Sequence, residues 1–352
     1  MSVGMKSFRK SLYLALAVLG FALAAHADDK PSVIRISNPG VGIGNRPVVG
    51  GSSWSVVNLR GLLEDEFKPD GTKVAWTFLR AAGPAVNELY ANGLTDFSLL
   101  GDLPSIVGRA SGLKTRILAG SVKTNLFIVV PADSPIQSVK DLKGKKFAVF
   151  KGTCLQLSTA RILEANGLSE KDLRTINMDN ASAKAALTTK DVDAMIGLSD
   201  VLALRDQGVA RVIYSTKGDP RFTCNSTIIG SDDFIRKYPA YTKRFVRQYV
   251  LASKWLADQE GDPSQAYRLW SKSGTPFSIF KEDWSGESIK EKNSPLIDPY
   301  VVARYKNSIT DAKRYGLIKN TFDFDTWVDS SFLNAVLKEE KLEGFWKPLP
   351  PR

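Results

Sequence analysis

The chain has 352 residues, 43% of them hydrophobic, and 48 Lys and Arg against 37 Asp and Glu give it a net charge of +11. That length exceeds one ordinary core and suits two, while the basic residues are diluted by acids rather than gathered in a patch, which argues against a nucleic-acid partner. One histidine and two cysteines leave no room for a zinc cluster of the usual ligand types.

In chain order, Lys6, Arg9 and Lys10 precede an apolar run from Leu12 to Ala25, and Ala25-His26-Ala27 stands before Asp28. This is the pattern of an export signal spanning residues 1–27 and cleaved after about Ala27. No cysteine follows the expected cut, so no lipid anchor is expected there, and no later apolar run is long enough to span a bilayer. Removing the segment takes away three basic residues and no acidic one, leaving +8, a weak preference for anionic partners. It also removes His26, and with it every His-dependent triad.

Val33 to Ser37 reads as a first strand, followed by the loop NPGVGIGNRPVVGGSS and an amphipathic helix from about Trp54 to Phe67. Lys73 to Leu79 is the next strand. Residues 87–102, NELYANGLTDFSLLGD, then spell helix, tight turn, buried strand and polar strand end, and residues 185–200, AALTTKDVDAMIGLSD, spell it again. A short continuous apolar run fits a strand covered on both faces, as in parallel sheets, so the repeated phrase predicts two α/β lobes. Strands at Thr115 to Ala119 and Leu126 to Val130 close the first series, and Pro131-Ala132-Asp133-Ser134-Pro135 interrupts the pattern as a crossing point would. The second series runs through a strand at Lys146 to Phe150, a helix at Leu155 to Asn166, a capping box at Ser169 to Asp172, and strands at Arg174 to Met178, Asp193 to Gly197 and Val209 to Tyr214. A strand near Ser226 to Gly230 leads to helical stretches at Tyr241 to Gln259, Pro263 to Ser271 and Pro299 to Tyr315 that return to the first lobe. The expected division is residues 28–130 with 230–352 as lobe 1 and 131–229 as lobe 2, hinged near 131 and 229.

In open parallel sheets, ligands lie beyond the carboxyl ends of strands, where helix starts present unpaired N–H groups that attract anions. Four such edges stand out: Gly51-Ser52-Ser53, Gly101-Asp102, Gly152-Thr153 and Ser199-Asp200. Each could equally be an ordinary cap serving its own helix. Asp102 and Asp200 could hold polar ligand groups or brace their loops; Arg80, just past a strand, could be a counter-charge or merely solvated; Trp54 could stack on a ligand or fill the core. Cys154 and Cys224 could pair in an exported protein or stay as buried thiols.

Three enzyme motifs fail. GVGIGNRP at 40–47 lacks the third glycine of G-x-G-x-x-G, Ser278-Ile279-Phe280-Lys281 is an S-x-x-K without S-D-N or K-T-G, and Lys143-Gly144-Lys145-Lys146 lacks the rest of a phosphate loop. No cofactor is implied. An exported serine hydrolase remains the reading from another class, without a histidine to activate the serine.

Arg80-Ala81-Ala82-Gly83-Pro84-Ala85, Asn92-Gly93, Asp96 and Gly101-Asp102-Leu103-Pro104, with Asp133-Ser134-Pro135-Ile136, Lys140 to Lys145 and Lys151-Gly152-Thr153, resemble the solute-binding proteins of ABC importers for sulfonates, taurine and nitrate. The resemblance spans roughly residues 33–230. It implies a type II periplasmic binding protein, two-lobed α/β with a double-crossover hinge, monomeric and not an enzyme, that hands a small organic anion to a membrane permease. It places binding positions at Gly51 to Ser53, Gly101-Asp102, Lys151-Gly152-Thr153 with Cys154 next to it, and Ser199-Asp200. Sulfonate binders usually carry Trp-Asp-Pro at the last position, where this chain has Leu198-Ser199-Asp200-Val201. An alkyl or aryl sulfonate or a sulfate ester is therefore expected, with nitrate, an aromatic carboxylate or a thiamine-pathway pyrimidine as the alternative cargo.

Overall fold

The computed structural model describes residues 30–351, so the expected export signal at 1–27 lies outside the described residues. β1 (Val33–Asn38) leads through the glycine-rich loop to α1 (Ser53–Leu59) and α2 (Leu62–Phe67), and then come β2 (Lys73–Phe78), α3 (Ala82–Ala91), β3 (Phe97–Gly101), α4 (Asp102–Ala110) and β4 (Thr115–Thr124). A second series follows: β5 (Phe127–Pro131), β6 (Lys146–Val149), α5 (Cys154–Ala165), β7 (Arg174–Asn177), α6 (Asn180–Thr188), β8 (Ala194–Gly197), α7 (Leu202–Asp206) and β9 (Ala210–Ser215). β10 (Cys224–Ser231) opens the last part, which is helical: α8 (Asp232–Lys237), α9 (Pro239–Ala257), α10 (Ser264–Trp270), α11 (Phe277–Trp284), α12 (Ile289–Lys292), α13 (Pro299–Arg314) and α14 (Ser331–Glu339).

The strands form two five-stranded sheets, ordered β2-β1-β3-β10-β4 and β7-β6-β8-β5-β9. In each, the fourth strand runs antiparallel to both neighbours, and it is the strand that arrives from the other lobe's side of the chain. The two sheets therefore share one topology, and β3 and β8, the strands of the repeated phrase, hold the same slot. Both are nearly all buried, as continuous apolar runs require.

Strand membership corrects the hinge positions read from the sequence. Phe127–Pro131 belongs to the second sheet and Cys224–Ser231 to the first, so the chain crosses at Asn125-Leu126 and along residues 216–223 rather than near 131 and 229. The proline cluster after Val130 ends β5 and is not the crossing. A second difference concerns the helix expected at 54–67, which is broken into α1 and α2 at Gly61, whose φ of 64° lies in the left-handed region that glycine enters without strain. The capping box at Ser169 and Asp172 forms as expected, although what it caps is a short 3-10 turn at Glu170–Asp172.

The C-terminal helices pack on the first lobe. Trp54, Phe97, Phe245, Tyr249, Trp270 and Trp284 share one buried cluster, with the Phe97 and Phe245 rings stacked 3.9 Å apart. Such aromatic burial is a large part of the stabilisation a lobe can draw on. The second lobe has its own clusters on the two faces of its sheet, around Phe147, Ile162 and Ile196 on one and Val129, Leu187 and Met195 on the other.

Candidate ligand-binding cleft

The carboxyl ends of β1, β2, β3, β6, β7 and β8 open onto one cavity of about 620 Å³ between the lobes; Asn38, Arg80, Gly101, Phe150, Asp179 and Leu198, each at or just past a strand end, line it. Helix starts follow these strands, as the βα repeat dictates. Ser52 caps α1, its hydroxyl accepting from the Ser55 N–H at 3.3 Å. Thr153 caps α5 by accepting from the Leu155 N–H at 3.3 Å, and donates its own hydroxyl proton to the Phe150 carbonyl at 2.7 Å. Asp179 caps α6 by accepting from the Ser182 N–H at 3.0 Å.

All four expected edges contribute to this cavity: Gly51 and Ser52, Gly101, Thr153 and Cys154, and Ser199 with Asp200 line it, as does Arg80. The other expected residues lie behind it. Trp54 is fully buried, donates its indole N–H to Asn38 Oδ1 at 3.0 Å and meets Trp76 edge-on, so its place is in the core and not against a ligand. Ser53 is fully buried, and its N–H is taken by Asn293 Oδ1 at 3.1 Å. Asp102 turns away, accepting from its neighbour's N–H on Leu103 at 2.8 Å and from the Ser308 hydroxyl at 3.0 Å. Gly152 gives its N–H to Gln156 Oε1 at 2.8 Å and faces Pro84 of the other lobe.

The cavity is charged at its rim and floor. Arg80, Lys123, Lys184 and Lys292 stand against Asp179, Asp200 and Asp283. Arg80 reaches Asp179 of the opposite lobe at 3.2 Å, and Lys184 pairs with Asp200 at 2.6 Å. Asn180 also donates to Asp200 at 2.7 Å. Lys123 is buried on β4, where desolvation pushes its pKa down to about 8 against the opposing pull of Asp298 and Glu291. Burial raises the Asp283 pKa, opposed by Lys292 and by hydrogen bonds from Asn125 and Ser199. The walls between are apolar: Leu99, Val122, Phe150, Leu155, Phe280 and Trp284.

The two cysteines are joined, with Cα atoms 5.5 Å apart. Cys154 starts α5 of the second lobe and Cys224 starts β10 of the first sheet, so the disulfide ties the lobes at the cavity wall that both residues line. Gly101 packs on it: a Cβ there would stand 3.2 Å from Cys154 Cβ and 3.4 Å from its Sγ. The sequence reading missed Lys123, Asn125, Asp179, Asn180, Lys184, Phe280, Trp284 and Lys292. Only Lys123 carried a local signal, as a charge in the apolar strand ILAGSVKT.

Two α/β lobes of one topology, joined by two crossings and closing a polar-ended cavity at their strand ends, define a solute-binding protein of the two-lobed, double-crossover type. The chain belongs to the NMT1/THI5-like family, whose model matches residues 67–262. It is 32% identical to a solved structure from Methylobacillus flagellatus KT whose name assigns it to a sulfonate ABC transporter as the periplasmic sulfonate-binding protein SsuA, covering 91% of this chain and 98% of that one at a TM-score of 0.77. A Bacillus subtilis (strain 168) protein whose name assigns it to aliphatic sulfonate binding is 29% identical over 294 residues, 81% of this chain and 85% of the relative. The alkanesulfonate-binding protein SsuA of Xanthomonas axonopodis pv. citri, bound to MOPS, shares the fold at a TM-score of 0.72 and 22% identity, over 86% of this chain and 99% of that one.

Proposed function

We propose that this protein is an exported, monomeric solute-binding protein that traps an alkyl or aryl sulfonate or a sulfate ester between its lobes and delivers it to an ABC-type permease. The observation that carries this reading is the convergence of helix starts and four cations, against three carboxylates, on a single interlobe cavity with apolar walls. Helix dipoles and cations favour an anionic head, and the ring of Phe150, Leu155, Phe280 and Trp284 suits an organic tail. A cavity of about 620 Å³ has the size of sites for small organic ligands and would leave nitrate largely surrounded by water. The names of the relatives point the same way.

Among the binding positions expected from the sequence, Thr153 takes a different role. The Thr153 hydroxyl proton is already donated to a backbone carbonyl, so Thr153 orients α5 and does not donate to the anion. Ser52, Arg80 and Lys184 are the better donors, from both sides of the cleft. No described residue is a histidine, and the relatives are named as binding proteins; binding without turnover is the reading adopted.

The test is a thermal-unfolding series on protein stripped of ligand by unfolding and refolding, with taurine, alkyl and aryl sulfonates, sulfate esters, sulfate, nitrate, aromatic carboxylates and pyrimidines. A ligand at about 1,000 times its Kd adds about 4 kcal/mol, several degrees for a chain of this size. The expected result is a shift confined to sulfonates or sulfate esters that Lys184→Met reduces. A response to a pyrimidine alone would overturn the assignment of the cargo and leave the fold untouched.

A further inference from the structure

Away from the cleft, one pair of buried arginines is only partly satisfied by the fold's own bonding. A second cavity, of about 470 Å³, opens between α5 of the second lobe and α13 on the first, beside the return segment at 220–222, and is lined by Arg161, Arg221, Tyr300, Arg304, Asn307 and Thr310 among others. It shares no lining residue with the cleft.

Arg161 and Arg304 are only 7% and 6% exposed, a degree of burial at which a guanidinium ordinarily has a carboxylate to itself. Arg161 is partly provided for. Its Nε donates to Asp311 Oδ2 at 2.7 Å and its Nη2 to the Ser308 hydroxyl at 3.0 Å, while its buried Nη1 has no hydrogen-bond partner and pairs with Asp102 only at 3.8 Å. Arg304 has less. It donates to the backbone carbonyls of Arg221 and Thr223, its buried Nε is unpartnered, and none of the ion pairs among the described residues includes it. Burial and the neighbouring Arg161 charge weigh against its positive form and outweigh the favourable pull of Asp102, Tyr300 and Asp311.

The carboxylates that line the cavity are already engaged. Glu164 takes both terminal nitrogens of Arg314, which hold its pKa down at about 2, and Asp311 serves Arg161 and Arg314 together. At the rim, Arg221 is 71% exposed and paired with Asp219, Asn307 is an exposed neutral donor, and Thr310 gives its hydroxyl proton to the Lys306 carbonyl at 3.1 Å. Arg304 thus borders an empty volume with no carboxylate hydrogen-bonded to it, the two acids that act on it, Asp102 and Asp311, being engaged with Arg161 and Arg314, and an anion that enters would give it a direct partner.

We propose that this cavity is a second anion site, which takes a small oxyanion of the phosphate or sulfate type against Arg304, with Arg161 and Arg221 on its flanks. Because Arg161 sits on α5 and Arg304 on α13, the anion bridges the lobes from outside the cleft. The proposal does not rest on the identity of the cleft's own ligand.

The experiment is a calorimetric titration of the full protein with inorganic phosphate at pH 7 in a buffer free of other oxyanions. The expected result is one saturable site with a Kd of ~1 mM or tighter, weakened about ten-fold in Arg304→Gln and much less in Arg304→Lys, which keeps the charge. Should Arg304→Gln fail to fold, Asn307→Asp sets a negative charge on the exposed rim without disturbing the core and should weaken binding about five-fold or more by repulsion. Absence of saturable heat at ~20 mM phosphate overturns the proposal. So does an Asn307→Asp isotherm that superimposes on that of the unaltered protein, since phosphate would then be bound elsewhere.

Discussion

Lys123 is a cation set into a buried strand. Val122 and Thr124 flank it, its Nζ donates to the Glu291 carbonyl at 3.0 Å and lies 5.3 Å from the centre of the Tyr300 ring, and Asp298, Glu291 and Lys292 are the charges that act on it. Desolvation outweighs the two acids, so the folded pKa of about 8 lies below the ordinary lysine value near 10.4. Between those two values the unfolded chain holds the proton more tightly than the folded one, and stability contributed by this group therefore rises with pH across that window. Lys123→Met has no such dependence. The stability of the native protein relative to Lys123→Met is expected to increase by about 3 kcal/mol from pH 7.5 to 10.5, measured by urea unfolding at each pH. Parallel curves for the two proteins would mean that Lys123 is solvated and unshifted. Trp54 teaches the complementary lesson at this scale: a tryptophan beside a glycine-rich loop suggested a ligand wall, yet full burial against Trp76 and Phe245 makes its truncation a matter of about 3–5 kcal/mol of stability.

The repeated phrase has an answer at the level of strands. In the first copy, Asp96 accepts the Arg35 N–H at 2.8 Å while its own N–H goes to the Arg35 carbonyl at 2.8 Å; in the second, Asp193 accepts the Lys146 N–H at 2.7 Å and gives its N–H to the Lys146 carbonyl at 2.9 Å. Each aspartate pins the strand it opens to the neighbouring parallel strand and so sets the register that brings Gly101 and Leu198 to the cleft. Asp96→Ala and Asp193→Ala are expected to lower stability, by about 2–3 kcal/mol for the buried Asp96, which also pairs with Arg35, and about 1 kcal/mol for the exposed bond of Asp193. Neither should abolish ligand binding in the folded protein, and an Asp193→Ala variant with full stability but no binding would transfer the residue from the scaffold to the site. This much was legible because apolar runs and turn residues act locally. The crossing at Asn125-Leu126 was not, since a strand passing between two cores is buried in both and carries no proline or glycine to mark it. Lys184, Phe280, Trp284 and Lys292 escaped for a related reason: they reach the cleft from helices, the last two from helix C-terminal ends, and which face or end of a helix meets a distant strand end is decided by tertiary packing rather than by a spacing in the chain.

The molecule as a whole is fastened unequally on the two sides of its cleft. On the α5 side the lobes are joined by the Cys154–Cys224 disulfide, by Arg161 between Asp311 and Asp102, by Arg314 with Glu164, and by Leu157, which enters the first lobe's core with Leu103 and Ile106. On the α6 and α7 side the ion pairs are solvent-exposed, Arg80 with Asp179 and Arg205 with Glu282, and the buried contacts are an apolar one from Ile279 and the hydrogen bond of Ser199 to Asp283. Exposed pairs of this kind contribute at most about 1 kcal/mol each, whereas a disulfide closing a loop of 70 residues contributes about 2–4 kcal/mol. Opening of the cleft should therefore be one-sided, with α6 and α7 swinging away from Arg80 and Glu282 while α5 stays docked. Replacing both cysteines by serine is expected to lower unfolding stability by about 2–4 kcal/mol and to widen the difference in radius of gyration between ligand-free and ligand-bound protein in small-angle scattering. Arg80→Ala should leave stability within about 1 kcal/mol of the native value and act instead on ligand release, raising the dissociation rate, because it removes both a contact across the mouth and a donor assigned to the anion. If the double serine variant loses stability but scatters identically in both states, the disulfide supports the fold without restraining the hinge, and the buried pairs of Arg161 are left as the element that holds α5 in place.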